Sequence, residues 1–215
     1  MKKTFSILLL LAGTALCGNV IFIKAPTVAG GGTTITDNFN RANAELSTTA
    51  SPEGWSWVKG TGANLNISSN VVDGTGNNFG IYYADSSLGP DMEVEITATT
   101  EQLSSTTAFH PTARYTDSDN YYKFQRSHNS NDFRLYRRVS GTETQIGSAY
   151  TADPTPPYTM KIVVDGDQIS GYVDDVLRVG PVTDTNITTG NYAAIGIYVN
   201  GSNYVPLDDF SASSL

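Results

Sequence analysis

The sequence predicts an all-β fold in which two antiparallel sheets pack face to face as a sandwich. The second half of the chain consists of short stretches in which apolar and polar residues alternate, and turns rich in Asp, Asn and Gly separate them. The clearest stretch is Met92–Ala98, in which every second residue from Met92 onward is apolar. The body shows no 3.6-residue apolar period, so we expect about a dozen strands and no helix.

The same alternation places the individual strands and the hairpins that join them. Asp165, Gly166 and Asp167 form a turn between two apolar stretches, which is typical of a β-hairpin. Trp55 and Trp57 lie two positions apart and therefore share one face of a strand. We expect both rings to pack in the core, and the alternative is that they form a platform on which a sugar stacks. The strands are expected at 35–42, 65–72, 79–84, 92–98, 108–115, 121–128, 133–139, 160–164, 169–173, 193–199 and 207–213.

Length, charge and cysteine content limit the number of domains, the classes of partner and the kinds of site that this chain can have. A chain of 215 residues suits one domain with an N-terminal appendage. Its net charge of −8 makes duplex DNA and anionic membranes poor partners, because both attract clustered positive charge. The single cysteine, Cys17, lies in the apolar N-terminal segment, so the body has neither a disulfide nor a thiolate metal site.

The N-terminus resembles a bacterial secretory signal, because Lys2 and Lys3 precede an apolar run. A small-residue cleavage site is available after Ala15 or Ala29, and Cys17 allows a lipoprotein interpretation although Leu16 before it is not small. An uncleaved membrane anchor and an assembly strand at 19–24 are further alternatives. We expect a signal peptide or anchor at 1–29, a Gly/Thr-rich linker at 30–36 and the folded domain at 37–215, and we expect the protein to be secreted or displayed on a cell or virion surface.

Four motifs resemble a known family. They are the opening Asp-Asn-Phe-Asn-Arg-Ala from Asp37, the Arg-Tyr-Thr-Asp-Ser-Asp-Asn-Tyr-Tyr segment from Arg114, the Val-Asp-Gly-Asp-Gln-Ile hairpin from Val164, and the terminal Asp-Asp-Phe from Asp208. Together they resemble the concanavalin A-like, or laminin-G-like, jelly-roll superfamily over residues 35–215. The resemblance implies a jelly-roll sandwich. Secreted bacterial and phage members include lectins, carbohydrate-binding modules, adhesins, phage surface modules and some glycanases.

A basic and tyrosine-rich patch is the strongest candidate site. Six of the 13 Lys and Arg residues lie between positions 114 and 138, with tyrosines interleaved among them. Guanidinium groups bind carboxylates and sulfates, and tyrosine rings stack on sugars, so the patch suits an anionic glycan or an acidic partner. The alternative is that these arginines pair with nearby aspartates. The predicted binding residues are Arg114, Tyr122, Arg126, Arg134, Tyr136 and Arg138.

Calcium is the metal that the sequence favours, and no other cofactor is indicated. Carboxylate oxygens are hard ligands of the kind that Ca²⁺ prefers. Asp37 on the first strand and Asp208 and Asp209 on the last would converge if the terminal strands pair, as they often do in jelly rolls. Aspartates are also common in turns, which is the competing explanation.

The sequence offers no clear catalytic site. The glycanases of the superfamily carry a Glu-x-Asp-x-x-Glu motif that this chain lacks, and Glu93 with Glu95 comes closest to it. A polysaccharide lyase would need a set such as Arg114, Tyr122 and His128. We therefore expect a non-catalytic extracellular glycan-binding or adhesion module. The alternative is a structural protein, a virion surface module or filament subunit that forms homo-oligomers through its N-terminal strand, and a hydrolase or lyase is a minor alternative.

Overall fold

The computed structural model describes residues 32–74, 78–100, 107–199 and 205–215. It confirms the prediction of an all-β sandwich of two antiparallel sheets. The helical segments among the described residues are short 3-10 turns at Leu46–Thr48 and His128–Ser130. None of the described residues forms a helix long and apolar enough to cross a membrane. The predicted signal, anchor and assembly segment lies outside the described residues.

Sheet I contains nine strands among the described residues, numbered here in chain order. Across the sheet they are Val176–Thr183 (β14), Gln168–Val173 (β13), Tyr158–Asp165 (β12), Met92–Ala98 (β7), Leu207–Ser214 (β16), Val71–Gly74 (β5), Leu65–Ser68 (β4) and Ala44–Glu45 (β2), and Thr34–Asp37 (β1) also pairs with β16.

Sheet II contains seven strands within the same described ranges and packs against sheet I. Across this sheet they are Thr142–Thr151 (β11), Asp132–Val139 (β10), Asn120–Ser127 (β9), Ala108–Asp117 (β8), Tyr192–Val199 (β15), Asn78–Ala84 (β6) and Trp57–Gly62 (β3).

The core lies between the two sheets and consists of the apolar residues that alternate along facing strands. Val94, Ile162, Phe124 and Ile195 are all fully buried in it. Because side chains alternate between the faces of a strand, the intervening residues of each strand point away from this core. The sandwich therefore has two outer faces, one on each sheet.

The tryptophan pair belongs to the core, as the first interpretation held. Trp55 and Trp57 are 9% and 1% exposed, and their ring centroids lie 5.1 Å apart in an edge-to-face arrangement. Phe210 from β16 packs edge to face on Trp57 at 4.8 Å. These rings are buried in the core and are not available to a sugar.

The predicted single strand at 65–72 is wrong, because the structure contains a hairpin there. Residues Ser69 and Asn70 have φ values of 54° and 66° and form the tight turn between β4 and β5. Two consecutive positive φ angles are typical of a type I′ hairpin turn, and asparagine is among the residues that accept this conformation most readily.

The first strand of the sandwich begins within the segment that the sequence analysis assigned to the linker. Residues 34–36 of the predicted linker belong to β1, which pairs with β16 from Thr34 opposite Ser213 to Asp37 opposite Phe210. The structure thus confirms that the terminal strands pair. The structure also contains two long strands that the sequence analysis did not predict, β11 and β14. Both form outer edges of their sheets and expose most of their side chains, so neither shows apolar alternation.

Candidate functional site

A second aromatic cluster lies on the outer face of sheet II, opposite the core. Its buried members include Tyr115 and Tyr121, each 2% exposed, and partly buried rings surround them. The outer aromatic cluster, as we call it, consists of Phe79, Ile81, Tyr83, Tyr115, Tyr121, Tyr192 and Ala194. This face of the sheet is therefore not a simple solvated polar surface.

Glycines in the sheet allow rings to lie flat against the backbone of this face. A Cβ atom on Gly60 would lie only 2.2 Å from the hydroxyl oxygen of Tyr115, and a Cβ atom on Gly196 would lie 2.2 Å from Cε1 of His110. Glycine inside a strand often marks such a close approach. Gly60 and Gly196 thus form part of the floor on which the aromatic layer rests.

The tyrosines stack on one another in a row that crosses four strands. The ring centroids of Tyr83 and Tyr115 lie 5.1 Å apart with planes 22° from parallel, and those of Tyr115 and Tyr121 lie 5.9 Å apart at 24°. Tyr192 packs against Tyr83 at 5.2 Å. Because β9, β8, β15 and β6 are neighbours, the row runs across the sheet rather than along a strand.

Burial favours the neutral form of Tyr115, Tyr121 and His110 in this layer, and it matters most for His110, whose ordinary pKa lies close to neutral pH. Burial raises the pKa of Tyr115 to about 12 and raises the pKa of Tyr121 above its ordinary value as well. Burial, together with the nearby charge of Lys123, holds the pKa of His110 well below its ordinary value. The imidazole Nδ1 of His110 lies 2.7 Å from the hydroxyl oxygen of Thr112. The layer therefore presents neutral rings and hydroxyls.

A cleft of about 370 Å³ opens beside these rings and adds charged groups to the site. Lys123 forms an ion pair with Glu143 at 2.6 Å, and Arg138 forms a longer pair with Asp119 at 3.4 Å. Burial lowers the pKa of Lys123, and the adjacent Glu143 carboxylate opposes that effect. The cleft is lined by Thr61, Phe79, Ser118, Asp119, Tyr121, Lys123, Arg138 and Glu143.

Three of the predicted site residues lie on this outer face, and alternation along β10 brings them there. Arg134 donates to the Tyr136 hydroxyl at 3.5 Å and pairs with Asp132. The Tyr136 ring centroid lies 5.0 Å from Nζ of Lys123. Arg138 lines the cleft. The structure thus brings Arg134, Tyr136 and Arg138 together beside the outer aromatic cluster, and ligand binding by them stays a prediction.

Arg114 lies elsewhere, buried at one end of the sandwich. Its Nε donates to the carbonyl oxygen of Pro90 at 2.7 Å, and its Nη1 donates to that of Ile187 at 2.7 Å. Its Nη2 reaches both Asp91 and the carbonyl of Gly166. One guanidinium group therefore ties three loops together, and a residue that is 3% exposed is not part of the outer face.

Tyr122 and Arg126 are also buried on the inner side of sheet II. The Tyr122 hydroxyl donates to Oδ1 of Asp184 at 2.8 Å and accepts from the backbone N–H of Ile187 at 3.1 Å. Arg126 is fully buried and pairs with Asp153 at 2.9 Å. Three of the six predicted binding residues thus lie on the outer face of sheet II, and the other three are buried away from it.

The partly exposed rings of the cluster were not predicted from the sequence. Phe79 and Tyr83 come from β6, and Tyr192 comes from β15, far from the basic segment in sequence. A signal was present in residues 79–84, because Phe79, Ile81 and Tyr83 alternate with Tyr82 and Ala84 and leave no polar face. A strand that is apolar on both sides needs a cover on each side.

The carboxylate of the predicted calcium ligand Asp37 is fully engaged by protein donors. Oδ1 accepts from the backbone N–H of Phe39 at 2.8 Å and from Nη1 of Arg41 at 2.6 Å. Oδ2 accepts from Nη2 of Arg41 at 2.9 Å and from Nε1 of Trp57 at 2.8 Å. Asp37 therefore serves as a buried anchor between the start of the domain and the core.

The other two predicted ligands, Asp208 and Asp209, lie on β16 close to Asp37. Burial raises the pKa of Asp208, and the charges of Asp209 and Asp37 act in the same direction. Across the described ranges, no group of three or more His, Cys, Asp or Glu residues is arranged to hold a metal ion. Calcium binding at this corner stays a prediction.

The predicted catalytic candidates do not converge on the cleft. Glu93 accepts a hydrogen bond from the Ser213 hydroxyl at 3.2 Å, and Glu95 pairs with Lys161 at 3.4 Å, both on the outer face of sheet I. Of the predicted lyase set, Arg114 and Tyr122 are buried in structural contacts.

Comparison with known proteins finds solved structures that share the fold of this chain. No family model and no curated protein sequence matches it. The carbohydrate-binding module CBM66 from Bacillus subtilis has 17% identity and a TM-score of 0.57 over 74% of this chain and 91% of that one. The exoplasmic/lumenal domain of VIP36 in its Ca²⁺/mannose-bound form has 12% identity and a TM-score of 0.55 over 75% and 83%.

A third structure with this fold comes from prominent members of the human gut microbiota and is described with the endo-acting O-glycanases that initiate mucin breakdown. It has 10% identity and a TM-score of 0.61 over 84% of this chain and 98% of that one. A carbohydrate-binding module and a mannose-bound domain thus share this architecture, and at such identities the likeness concerns the fold alone. The chain shares with these proteins the fold of two antiparallel sheets packed as a jelly-roll sandwich.

Proposed function

We propose that this protein is a non-catalytic, extracellular glycan-binding module and that the glycan lies on the outer face of sheet II. The observation that carries the proposal is the outer aromatic cluster beside a charged cleft. Ligand sites in proteins usually combine aromatic walls with a few well-placed polar groups. The fold shared with carbohydrate-binding modules and lectins supports the same function.

The partly exposed rings supply the apolar part of the site. Tyr83 and Tyr192 are half-buried, and Tyr198 on the same face is 37% exposed. The buried tyrosines beneath and beside them hold these rings in fixed positions, so little conformational entropy is lost when a sugar ring stacks on them. The tyrosine hydroxyls can bond to sugar hydroxyls at the edges of the stack.

The ion pairs of the cleft support a binding role over hydrolysis. Glycoside hydrolysis needs two carboxyl groups across the scissile bond, one of which gives up a proton. The two carboxylates of the cleft, Asp119 and Glu143, are instead each held by a cation. This arrangement supports a binding role, and we expect no release of reducing ends when purified protein is incubated with the glycans that it binds.

The test is a glycan array followed by isothermal titration with the purified domain. Tyr83→Ala and Tyr192→Ala each remove one partly exposed ring and should weaken binding by about two- to tenfold. Tyr172→Ala is the matched control, because Tyr172 is a half-buried tyrosine on the outer face of sheet I. The proposal fails if no glycan binds above background, or if the control weakens binding as much as the other two variants.

The extracellular location is tested separately by fractionation of the native source. We expect the protein in the medium or on the surface, with an intact mass that shows whether the first 15 to 29 residues have been removed. Recovery in the cytosolic fraction alone would contradict this part of the proposal.

A further inference from the structure

We infer that the cleft on the outer face of sheet II selects uncharged glycans over acidic ones, an inference that rests on the proposed function. Both ion pairs of the cleft place the cation inside and the carboxylate outside. The side chain of Lys123 is 6% exposed and that of its partner Glu143 is 33% exposed. The side chain of Arg138 is 30% exposed and that of Asp119 is 54% exposed. A ligand that enters the cleft therefore meets carboxylate oxygens first.

Lys123 has little capacity left for an acidic ligand. An ammonium group has three hydrogens to donate. Nζ lies 2.6 Å from Oε2 of Glu143 and 2.7 Å from Oε1 of Gln125, and the Tyr136 ring lies beside it. A uronate or sulfate could reach Nζ only by displacing Glu143, so nothing would be gained in charge pairing.

Arg138 is the more accessible cation, but Asp119 lies beside it. Its Nε donates to the carbonyl oxygen of Ser118 at 2.9 Å, which fixes the guanidinium group against the turn between β8 and β9. An anion that approached the remaining N–H groups of Arg138 would lie close to the exposed Asp119 carboxylate, and like charges at such short distances repel. Arg134, farther along β10, is likewise paired with Asp132.

A neutral sugar suits the same groups well. Each sugar hydroxyl can donate to the exposed oxygens of Glu143 and Asp119 and can accept from Arg138 without bringing a charge of its own. Hydrogen bonds to charged groups are stronger than those between neutral groups. The arginines that predict an anionic glycan from the sequence are thus neutralised by partners that the fold supplies, as the alternative interpretation of the patch held.

The experiment compares matched neutral and acidic ligands. Neutral hexasaccharides of gluco, galacto and manno configuration, and hexauronates of the same configurations and linkage types, are titrated into the domain at low and high salt. We expect the best neutral ligand to bind at least about tenfold more tightly than its acidic counterpart. We also expect its affinity to be nearly independent of salt, because screening acts on charged ligands.

Two substitutions locate the preference in the cleft. Glu143→Gln and Asp119→Asn each remove an exposed carboxylate. Each should strengthen binding of the hexauronates several-fold and so reduce the ratio of neutral to acidic ligand affinity. Glu93→Gln is the matched control, since it makes the same charge change on the outer face of sheet I and should leave the preference unchanged. Thermal melting of each variant verifies that it is folded.

The outcomes separate this inference from the function beneath it. Tighter binding of hexauronates than of every neutral ligand would overturn the inference and leave glycan binding in place. An equal change in Glu93→Gln and Glu143→Gln would also overturn it, because net charge and not the cleft would then set the preference. Absence of binding to both ligand classes would overturn the inference and the proposed function together.

Discussion

Replacing Asp37 by Asn tests whether this carboxylate is a structural anchor. Asp37 is 1% exposed and accepts four N–H hydrogen bonds, two of them from Arg41 and one from Trp57. The amide of Asn carries no charge and presents its own N–H groups to donors that need an acceptor. Removing one partner of a buried ion pair costs about 3–5 kcal/mol. Because Arg41 is 15% exposed and can turn to water, we expect a loss near the lower limit, about 3 kcal/mol.

Urea unfolding at neutral pH measures this loss. Thermal unfolding gives an independent check. A domain of this size loses about 2–4 °C of Tm per kcal/mol of stability, so the Tm of Asp37→Asn should fall by about 6–12 °C. Asp209→Asn is the control, because Asp209 is exposed in the same corner and Asn accepts its φ of 47°. It should change stability by less than about 0.5 kcal/mol. Equal effects of the two variants would refute the reasoning.

The same variants also test the predicted calcium ion. If Arg41 and Trp57 hold the carboxylate of Asp37, the wild-type midpoint should be the same in EDTA and in millimolar calcium. A gain of stability on adding calcium that is absent in Asp37→Asn would show that a metal holds this carboxylate instead.

Three further predictions concern packing, loop anchoring and pH. Gly196→Ala should lower the free energy of unfolding, measured by urea titration, by about 1–3 kcal/mol, because the new Cβ would lie 2.2 Å from the His110 ring. The double variant with His110→Ala should recover part of this loss. Arg114→Lys should cost about 2 kcal/mol or more by the same assay, because an ammonium cannot reach all the loop carbonyls that the guanidinium binds. Burial raises the pKa of Asp73 from 3.8 to about 6. Between these two pH values the folded protein keeps a proton on Asp73 that the unfolded chain has released. The free energy of unfolding should therefore fall as pH rises from about 4 to about 6. Asp73→Asn should remove this decline, worth about 1–2 kcal/mol after solvent screening, in unfolding curves measured from pH 4 to pH 8.

Local patterns were sufficient for most strands of the core. Met92–Ala98 shows strict alternation because one of its faces is buried and the other is half-exposed, and its burial follows the sequence pattern residue by residue. The hairpin at Asp165–Asp167 was equally clear, because polar turn residues separate two apolar stretches. Where a strand has one wet face, its side-chain directions can be read from the sequence.

The orientation of residues in β8 and β9 could not be read in this way. Nearly every residue of Ala108–Tyr115 is buried, so no polar face marks the outside. Arg114 has a φ of 49° in a stretch where the β8–β9 register shifts, and beyond it Tyr115 points outward. The positive φ and the register shift depend on the pairing of the strands, which local composition does not encode.

The aromatic cluster on the outer face of sheet II could not be predicted from the sequence for a related reason. Tyr83 and Tyr115 stack although 31 positions separate them in the sequence and β15 lies between their strands in the sheet. The sequence suggested a patch made of neighbouring residues and offered pairing with nearby aspartates as the alternative, which Arg134 with Asp132 and Arg138 with Asp119 bear out. It did not show that Arg126 would pair with Asp153 from a distant loop. Contacts of this kind follow from topology.

The pairing of β1 with β16 has a mechanical consequence. The backbone N–H of Ser214 donates to the carbonyl oxygen of Thr33 at 3.0 Å, so the chain enters and leaves the domain side by side at one end of this ladder. In an antiparallel ladder the hydrogen bonds run perpendicular to the strands. A force that pulls residues 33 and 214 apart would therefore break the pairs one after another, from Thr34 toward Asp37, instead of shearing them all at once. The domain should open at low force when it is stretched between these two points, with β1 peeling away first and exposing the Asp37 anchor behind it.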